Sequence, residues 1–423
     1  MSDHRVVIIG AGFAGLWAAK RLAGSQADVS ILDRDNYHTF LPLLYQVAAA
    51  EVEPEDIVYP VRSIFHKHPN VRFLMDEVIE VDLTDSSVKT THHDFLYDTL
   101  ILAGGSAANF FGIPGAAECA FQLKTLEQAI RLRNHILFRF ERALCETDAD
   151  RRRQMLTFAI TGGGPTGVEF AGALAELIRG PLARDYYSLD FSQVQVLLIE
   201  AAESLLPSLP PELDRYAQKR LRRMGVEVLL QARVVQITPQ TLHLSDGRVI
   251  PTETVVWTAG VRGGLAELTA GLPTTPNGRV KVTPTLQVEG YPQVYVAGDL
   301  AYVEDNGKPL PMVAPVAIQQ GEWAASNILR QMAGQEPLPF CYRDPGTLAT
   351  IGRNAAVAQL GRHTFTGFPA WLLWLSVHIM KLIGFRNRLQ VLVDWAWDYL
   401  FYERAVRLIF PNPGNSSDAD FRG

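Results

Sequence analysis

The sequence predicts an α/β protein with two domains of the same plan and a helical C-terminal segment. Two glycine-rich loops each follow a run of apolar, β-branched residues and precede a helical stretch. A tryptophan-rich stretch without charged residues lies near the C-terminus. The 423 residues are enough for two or three domains.

Composition excludes several classes of protein. Hydrophobic residues make up 48% and charged residues 20% of the chain, which predicts a packed core. The net charge of −6 argues against a nucleic-acid partner, which needs a clustered basic surface. Cys119, Cys145 and Cys341 are far apart and form no CxxC, so we expect neither a disulfide framework nor a thiol–disulfide redox pair. We also expect no metal site.

The two domains are predicted from an internal repeat of strand, glycine loop, helix, strand with a terminal acid, and closing strand. The first copy is Val6–Ile9, Gly10–Gly15, a helix to Leu22, Val29–Leu32 with Asp33, and Leu100–Ala103. The second copy is Phe158–Thr161, Gly162–Gly167, a helix Val168–Ile178, Val194–Ile199 with Glu200, and Val255–Thr258. A similar length of chain separates loop and closing strand in both copies.

A later strand places the second copy inside the first. Val294–Ala297 ends in Gly298 and Asp299, and we assign it to the first domain. The predicted domains are a first nucleotide domain at 1–115 and 270–345, a second at 116–269, a C-terminal membrane-anchoring region at 346–410 and a flexible tail at 411–423.

The glycine loops predict two Rossmann-like dinucleotide sites. A lone GxGxxG is weak evidence, but each loop here lies between a strand and a helix, as the motif requires. The first glycine makes a tight turn, the second lets the backbone approach a pyrophosphate, and the third lets the helix pack on the strand. The helix N-terminus then attracts the phosphates.

The strand-end acids predict ribose binding. Asp33 lies about 20 residues after Gly10, as in dinucleotide-binding domains. Glu200 follows Gly162 at a longer spacing, which we attribute to an insertion at 180–193. An acid there repels a 2′-phosphate, so NADH is favoured over NADPH. The alternative is a pair of ordinary carboxylates at the sheet edge. Because Gly298 and Asp299 suit a ribityl phosphate, we place a bound FAD in the first domain and NADH, as substrate, in the second.

Several longer motifs carry more specific information: Asn36–His38, Leu41–Ala48, Gly162–Ala175 (GGGPTGVEFAGALA), Val296–Asp299, Ala317–Gly321, Ala349–Arg353 and Gly384–Arg388. Together they resemble the two-dinucleotide-binding-domain flavoproteins and, among them, the type II NADH dehydrogenases, which are non-pumping NADH:quinone oxidoreductases.

The resemblance implies specific cofactor contacts. It implies that FAD binds at Gly10, Gly12, Phe13, Ala14, Gly15, Asp33 and Asp299. It implies that NADH binds at Gly162, Gly164, Pro165, Thr166, Gly167 and Glu200. The cofactor-binding set also includes Arg34, Ala317 and Gly260.

Glu169 and Gln319 are the candidate catalytic residues. The resemblance implies that Glu169 lies near the nicotinamide; the alternative is a first-turn acid that complements the helix dipole. A helix starting near 314 would point its positive end at the flavin. Many members of the family carry two glutamines four residues apart, whereas this chain has Pro315 and Gln319. Gln319 is either a quinone-site residue or a helix residue whose amide is satisfied by backbone.

The C-terminal region predicts membrane contact. Residues 364–380 contain no Lys, Arg, Asp or Glu but are shorter than the roughly 20 apolar residues of a spanning helix. Beyond this stretch the pattern is amphipathic. Asn387, Gln390, Asp394 and Asp398 lie on one side, and Leu389, Leu392, Trp395, Ala396 and Tyr399 on the other. We expect a monotopic anchor at the bilayer surface on the cytoplasmic face of the cell membrane. The alternative is a helical pair that packs on the flavin domain or forms the core of a homodimer.

The expected activity is transfer of hydride from NADH to the flavin, and of two electrons from there to a membrane quinone, without proton pumping. Two alternatives stay open. One is sulfide:quinone oxidoreduction through cysteines. The other is soluble, NADH-dependent reduction of a protein acceptor, which needs no apolar tail.

Overall fold

The structure is a computed structural model that describes residues 4–269, 271–401 and 407–409. The predicted flexible tail at 411–423 lies outside the described residues. The helices in chain order are α1 Phe13–Leu22, α2 Leu44–Ala48, α3 Val61–Phe65, α4 Ala116–Cys119, α5 Leu126–Cys145, α6 Ala149–Met155, α7 Pro165–Leu177, α8 Ala183–Asp185, α9 Pro211–Arg223, α10 Ala314–Met332, α11 Phe368–Lys381 and α12 Phe385–Phe401.

The strands in the first half of the chain are β1 His4–Ile9, β2 Ala27–Asp33, β3 Tyr37–Thr39, β4 Val58–Pro60, β5 Val71–Met75, β6 Val78–Asp82, β7 Ser87–Thr90, β8 Asp94–Leu96, β9 Thr99–Leu102, β10 Ser106–Ala108, β11 Phe121–Gln122, β12 Thr157–Thr161 and β13 Gln195–Ile199. Those in the second half are β14 Val226–Leu229, β15 Val234–Ile237, β16 Thr241–Leu244, β17 Val249–Pro251, β18 Thr254–Trp257, β19 Val261–Gly263, β20 Val280–Lys281, β21 Gln287–Val288, β22 Tyr291–Val296, β23 Ala301–Tyr302, β24 Glu304–Asp305, β25 Lys308–Pro309, β26 Thr347–Thr350, β27 Ala356–Leu360 and β28 His363–Gly367.

The chain forms two compact units. Unit 1 contains the described chain up to Thr39, Val58–Asn109 and Val261–Pro345. Unit 2 contains Phe40–Ile57, Phe110–Gly260 and the described chain from Gly346 onward. Phe40–Ile57, which falls within the predicted first domain, therefore groups with unit 2.

Unit 1 is built on a six-stranded sheet in the order β21-β22-β9-β1-β2-β5. β1 pairs in parallel with β2 and β9, and β22 continues the parallel arrangement beside β9. These strands are almost continuously apolar because both faces of a parallel sheet are covered. On one face, α10 packs closely on α1: a Cβ at Gly321 would lie 2.1 Å from the Ala14 carbonyl oxygen.

Unit 2 repeats this arrangement in a five-stranded parallel sheet with the order β11-β18-β12-β13-β14. In both sheets, the strand before the glycine loop lies between the closing strand and the strand that ends in the acid. The predicted internal repeat and the predicted placement of the strand at 294–297 in the first sheet are therefore confirmed.

The C-terminal part of unit 2 is a three-stranded antiparallel sheet, β26-β27-β28, followed by α11 and α12. The sheet packs on α11 through small residues, with Ala356 and Ala358 against Ala370. Within the described residues, no helix is both long enough and apolar enough to cross a membrane.

Helix α12 packs on the rest of unit 2 with a mixed side, on which the polar Asn387 and Asp398 lie beside the fully buried Val391. The Asn387 amide donates to the carbonyls of Asp56 and Glu55 at 3.0 and 3.2 Å. The indole of Trp395 donates to Gln46 Oε1 at 3.0 Å. These bonds give α12 one defined orientation on the protein.

Two carboxyl contacts complete this docking. Asp398 pairs with Arg353 at 3.2 Å. Asp394 lies within hydrogen-bonding reach of Asp56. Burial, and then the Asp394 carboxyl, raise the pKa of Asp56 to about 7. Asp56 therefore carries a proton over much of the acidic range and can donate it to Asp394.

The outer side of α12 is apolar. Phe385 is 81% exposed and Leu400 is 69% exposed, and Met380 at the end of α11 is 71% exposed. The remaining large apolar side chains exposed on α11 and α12 are Phe368, Leu372, Leu389, Leu392, Val393, Trp397 and Phe401. The amphipathic pattern of α12 was predicted from the sequence, and the structure shows which side the protein covers.

Candidate active site

The first glycine loop joins β1 to α1. Gly10 has a φ of +102°, and its N–H donates to the Leu32 carbonyl at 2.8 Å. A Cβ at Gly15 would lie 1.8 Å from the Gly10 carbonyl oxygen, so only glycine allows α1 to begin this close to β1. Gly12 has open space where a Cβ would lie and caps α1 without a side-chain hydrogen bond. The first N–H groups of α1 are therefore available to an anion.

Asp33 holds this loop in place. Its Oδ2 accepts from the Ala11 N–H at 2.6 Å and its Oδ1 from the Asp35 N–H at 3.0 Å. Burial raises the pKa of Asp33, and these two donors act in the opposite direction. Arg34, the next residue, is exposed and forms a 4.0 Å ion pair with Glu77.

His38 supports the same loop from the protein interior. Its Nδ1 donates to the Ala11 carbonyl at 2.9 Å, and its ring lies edge-on to Phe13. Burial lowers the pKa of His38 to about 4, so the ring is neutral at pH 7. No sequence pattern assigned His38 this role, because a buried neutral histidine has no distinctive spacing.

The second glycine loop, between β12 and α7, has matching geometry. Gly162 has a φ of +105°, and its N–H donates to the Ile199 carbonyl at 2.8 Å. A Cβ at Gly167 would lie 1.9 Å from the Gly162 carbonyl oxygen, and Gly164 again has open space. Gly164 caps α7 without a side-chain hydrogen bond, and the exposed Pro165 and Thr166 form its first turn.

Glu200 makes the same contacts as Asp33. Its Oε2 accepts from the Gly163 N–H at 2.5 Å and its Oε1 from the Ala202 N–H at 2.7 Å. Each acid therefore binds the second N–H of its own glycine loop and the N–H two residues beyond itself. The internal repeat extends to individual hydrogen bonds, and the acids stabilise their loops whether or not they also bind ribose.

Asp299 and α10 lie together at the end of β22. Ser106 Oγ donates to Asp299 Oδ2 at 2.6 Å. Gly298, with a φ of +78°, donates its N–H to Gln320 Oε1 at 2.8 Å and packs against Ala317. Gln320 is fully buried, and its Nε2 has no hydrogen-bond partner among the described residues.

Gln319 is engaged by backbone. Its Nε2 donates to the Arg343 carbonyl at 2.8 Å, and its Oε1 accepts from the Arg343 N–H at 3.0 Å. These contacts favour the alternative in which Gln319 is a structural residue. Helix α10 begins at Ala314 with Pro315 in its first turn, as predicted, and no side chain caps it.

Glu169 lies on α7, two residues after the second glycine loop, and is buried within unit 2. Its Oε1 accepts from the Trp374 indole at 3.2 Å and from the Thr350 N–H at 3.3 Å. Burial raises the pKa of Glu169 to about 8; these two donors lower it, and the charge of Glu51 raises it. The group is therefore mostly protonated at neutral pH.

A chain of hydrogen bonds leads from the surroundings of Glu169 toward α12. The Tyr45 hydroxyl lies 3.0 Å from Thr350 Oγ1, and Gln46 Nε2 donates to that hydroxyl at 3.2 Å. His378 stacks on Trp374 with 3.9 Å between ring centroids. Because burial lowers the pKa of His378 to about 4, the ring is neutral at pH 7.

The remaining predicted residue, Gly260, lies after β18 in unit 2. A Cβ there would come within 2.6 Å of the Phe111 ring. The three cysteines are free thiols: Cys119 and Cys145 lie in unit 2 and Cys341 in unit 1.

Comparison with known proteins decides the family. Residues 4–321 match the model of the pyridine nucleotide-disulphide oxidoreductases, and residues 345–403 match that of the NDH2 C-terminal domain. The type II NADH:quinone oxidoreductase Ndh of Mycobacterium tuberculosis is 40% identical over 417 residues, which cover 95% of this chain and 89% of the relative. The chain belongs to the type II NADH:quinone oxidoreductases.

Further relatives agree with this assignment. A type II NADH:quinone oxidoreductase of Staphylococcus haemolyticus is 32% identical over 383 residues, covering 86% of this chain and 92% of the relative. The structure of NDH2 from Plasmodium falciparum in complex with NADH superimposes with a TM-score of 0.88. The superposition covers 97% of this chain and 100% of the Plasmodium chain at 19% sequence identity, so it supports the fold alone.

Membership of this family confirms the fold class and the type of enzyme that the sequence predicted. The chain is an oxidoreductase of a flavoprotein family that uses NADH. The predicted resemblance to type II NADH dehydrogenases was therefore correct, and the sulfide:quinone alternative is not retained.

The glycines that have open space provide a test of the two loops. At both Gly12 and Gly164, an added methyl group would meet only a bound ligand. Gly12→Ala should therefore fold normally but retain less flavin. Gly164→Ala should keep its flavin but raise the KM for NADH about tenfold. Gly180→Ala is the control, since its Cβ also has open space. Flavin content per chain and steady-state kinetics measure both effects. Normal binding in both loop variants would contradict the assignment of the loops.

Proposed function

We propose that this type II enzyme holds FAD on the glycine loop of unit 1 and takes NADH on that of unit 2, and that it reduces a membrane quinone without pumping protons. The observation that carries the proposal is the pair of uncapped helix N-termini, each behind a glycine loop that a strand-end carboxylate fixes in place. Such helix ends bind the phosphates of dinucleotides.

The residues of unit 1 suit FAD. Gly12 leaves room for a pyrophosphate at the start of α1. Two buried nitrogens, His38 Nε2 and Gln320 Nε2, lack partners among the described residues. In this proposal Asp33 binds the adenosine ribose, Asp299 the ribityl chain, and the N-terminus of α10 the flavin ring. FAD supplies an acceptor for hydride and a donor of electron pairs.

The residues of unit 2 suit NADH as a substrate. Gly164 gives the same open space at the start of α7. The Glu200 carboxylate, which already accepts two N–H groups, would also bind a ribose diol and repel a 2′-phosphate. NADH is therefore preferred over NADPH.

Glu169 suits a role in proton transfer to the quinone. NADH gives up two electrons and one proton as hydride, whereas a quinone takes up two electrons and two protons. One proton per turnover must therefore come from elsewhere. A buried carboxyl with a pKa of about 8 holds a proton at neutral pH and can release it during the reaction.

The exposed apolar side of α11 and α12 suits the surface of a lipid bilayer. Met380 and Phe385 project at the turn between the helices, with the exposed Lys381 and Arg386 beside them. Apolar side chains next to basic ones are typical of helices that lie in the interface of anionic membranes. We place the enzyme on the cytoplasmic face of the membrane; a second copy of the chain is the competing occupant of this surface.

Anaerobic stopped-flow spectroscopy with NADH and then a quinone tests the proposed activity. NADH should bleach the flavin absorbance rapidly, because the proposed activity transfers hydride from NADH to the flavin. Quinone should restore the absorbance on the time scale of turnover. Bleaching without reoxidation by quinone would indicate a protein acceptor, and no bleaching by NADH would overturn the proposal.

Vesicle flotation tests the membrane contact. Phe385→Glu should weaken binding to anionic vesicles about thirtyfold, since burial of a phenylalanine contributes roughly 2 kcal/mol. Leu96→Glu is a matched control on unit 1, where an apolar side chain is 59% exposed. Unchanged flotation of Phe385→Glu, together with a loss of dimers, would assign the apolar side to a second copy of the chain instead.

A further inference from the structure

Glu169 needs a route for protons, because the residue is only 9% exposed and yet its carboxyl must be reloaded once per turnover. This requirement rests on the proposed function. Among the described residues, Glu169 Oε2 has no hydrogen-bond partner, whereas Oε1 is held by Trp374 and Thr350. The free oxygen is the atom through which a proton can arrive and leave.

Glu169 lines a cavity within unit 2. The cavity has a volume of about 50 Å³, several times the roughly 10–15 Å³ that one water molecule needs. Aromatic side chains of α11 and α12 form one side. The ionisable groups that line it are Tyr45, Glu51, Glu169, Glu176, Arg353, Asp398 and Tyr399.

Of these groups, Glu51 is best placed to load Glu169. It is partly exposed and lines the same cavity as Glu169 and Tyr45, and its charge raises the pKa values of both. Glu176 accepts the N–H of Arg353, and Asp398 is paired with the Arg353 guanidinium. Of the three carboxylates, only Glu51 acts through its charge on the pKa of Glu169.

The backbone directs Glu51 to this position. Ala50 has a φ of +56°, a left-handed conformation that is unfavourable for a residue other than glycine. The turn closes when the Glu51 N–H donates to the Gln46 carbonyl at 2.8 Å. Backbone strain of this kind is often found at functional sites.

We propose that Glu51 is the proton-uptake residue of the enzyme: it takes a proton from solvent and passes it through water in the cavity to Glu169. The transfer balances the overall reaction, in which NADH, one proton and a quinone give NAD⁺ and a quinol. The proton that Glu169 releases toward the quinone is replaced by one from the medium, and Glu51 returns to its carboxylate form.

Glu51→Gln tests the proposal. With a soluble short-chain quinone, kcat should fall about tenfold above pH 8, where reloading limits turnover, and less at lower pH. The falling limb of the pH profile should move to lower pH, because the charge that raises the pKa of Glu169 is gone. The solvent deuterium isotope effect on kcat should increase, and Glu51→Asp should recover part of the rate.

An acceptor that takes electrons but no protons separates proton uptake from structure. With ferricyanide, turnover needs no proton from the medium, so the ratio of the quinone rate to the ferricyanide rate should fall in Glu51→Gln. Glu53→Gln is the matched control, since Glu53 lies two residues away, is exposed and does not line the cavity. A pH-indicator dye should show proton uptake slowed in step with the quinone rate.

Two results would overturn the inference. An equal loss with both acceptors would mean that Glu51 acts on folding or on NADH binding. A wild-type pH profile and isotope effect in Glu51→Gln would mean that protons reach Glu169 by another route. Failure of the wild-type enzyme to reduce quinone at all would instead refute the proposed function itself.

Discussion

Enclosure of one carboxyl, that of Glu169, is the constraint on which the rest of unit 2 depends. Three separate parts of the chain meet around it: Tyr45 on α2, Thr350 on β26 and Trp374 on α11. Taking an ionised carboxylate out of water is costly, so this environment favours the protonated form at neutral pH. The C-terminal helices thus form one wall of a site whose sequence motif lies about 200 residues earlier.

Local patterns made much of the fold predictable. The strands, the glycine loops and the strand-end acids are fixed by short-range steric and hydrogen-bonding rules, so their repeat could be recognised in the sequence. The contact of Asp33 with the Ala11 N–H, and of Glu200 with the Gly163 N–H, depends on where adjacent strands end in three dimensions. The sequence alone could not assign roles to His38 and Glu51, because only the three-dimensional fold brings these residues to their sites.

The C-terminal helix shows the limit of periodicity. The pattern of α12 predicted an apolar and a polar side, and an apolar side usually packs inward. Here Asn387 binds the turn at Asp56 and Asp398 pairs with Arg353, so polar residues of the helix face the protein beside the buried Val391. Hydrogen bonds and the burial of Val391 together orient this helix, and most of its large apolar side chains stay exposed for a partner such as a bilayer.

Infrared difference spectroscopy of the Glu169 carboxyl tests most directly whether this site stores a proton. The protonated-carboxyl band that is present in the wild-type enzyme and missing in Glu169→Gln should persist at neutral pH. It should disappear with a midpoint at about 8, the pKa that burial produces. A midpoint near the ordinary value of 4.5 would mean that Glu169 is ionised in the working enzyme, which would contradict both its role as a proton donor and the proposed uptake route.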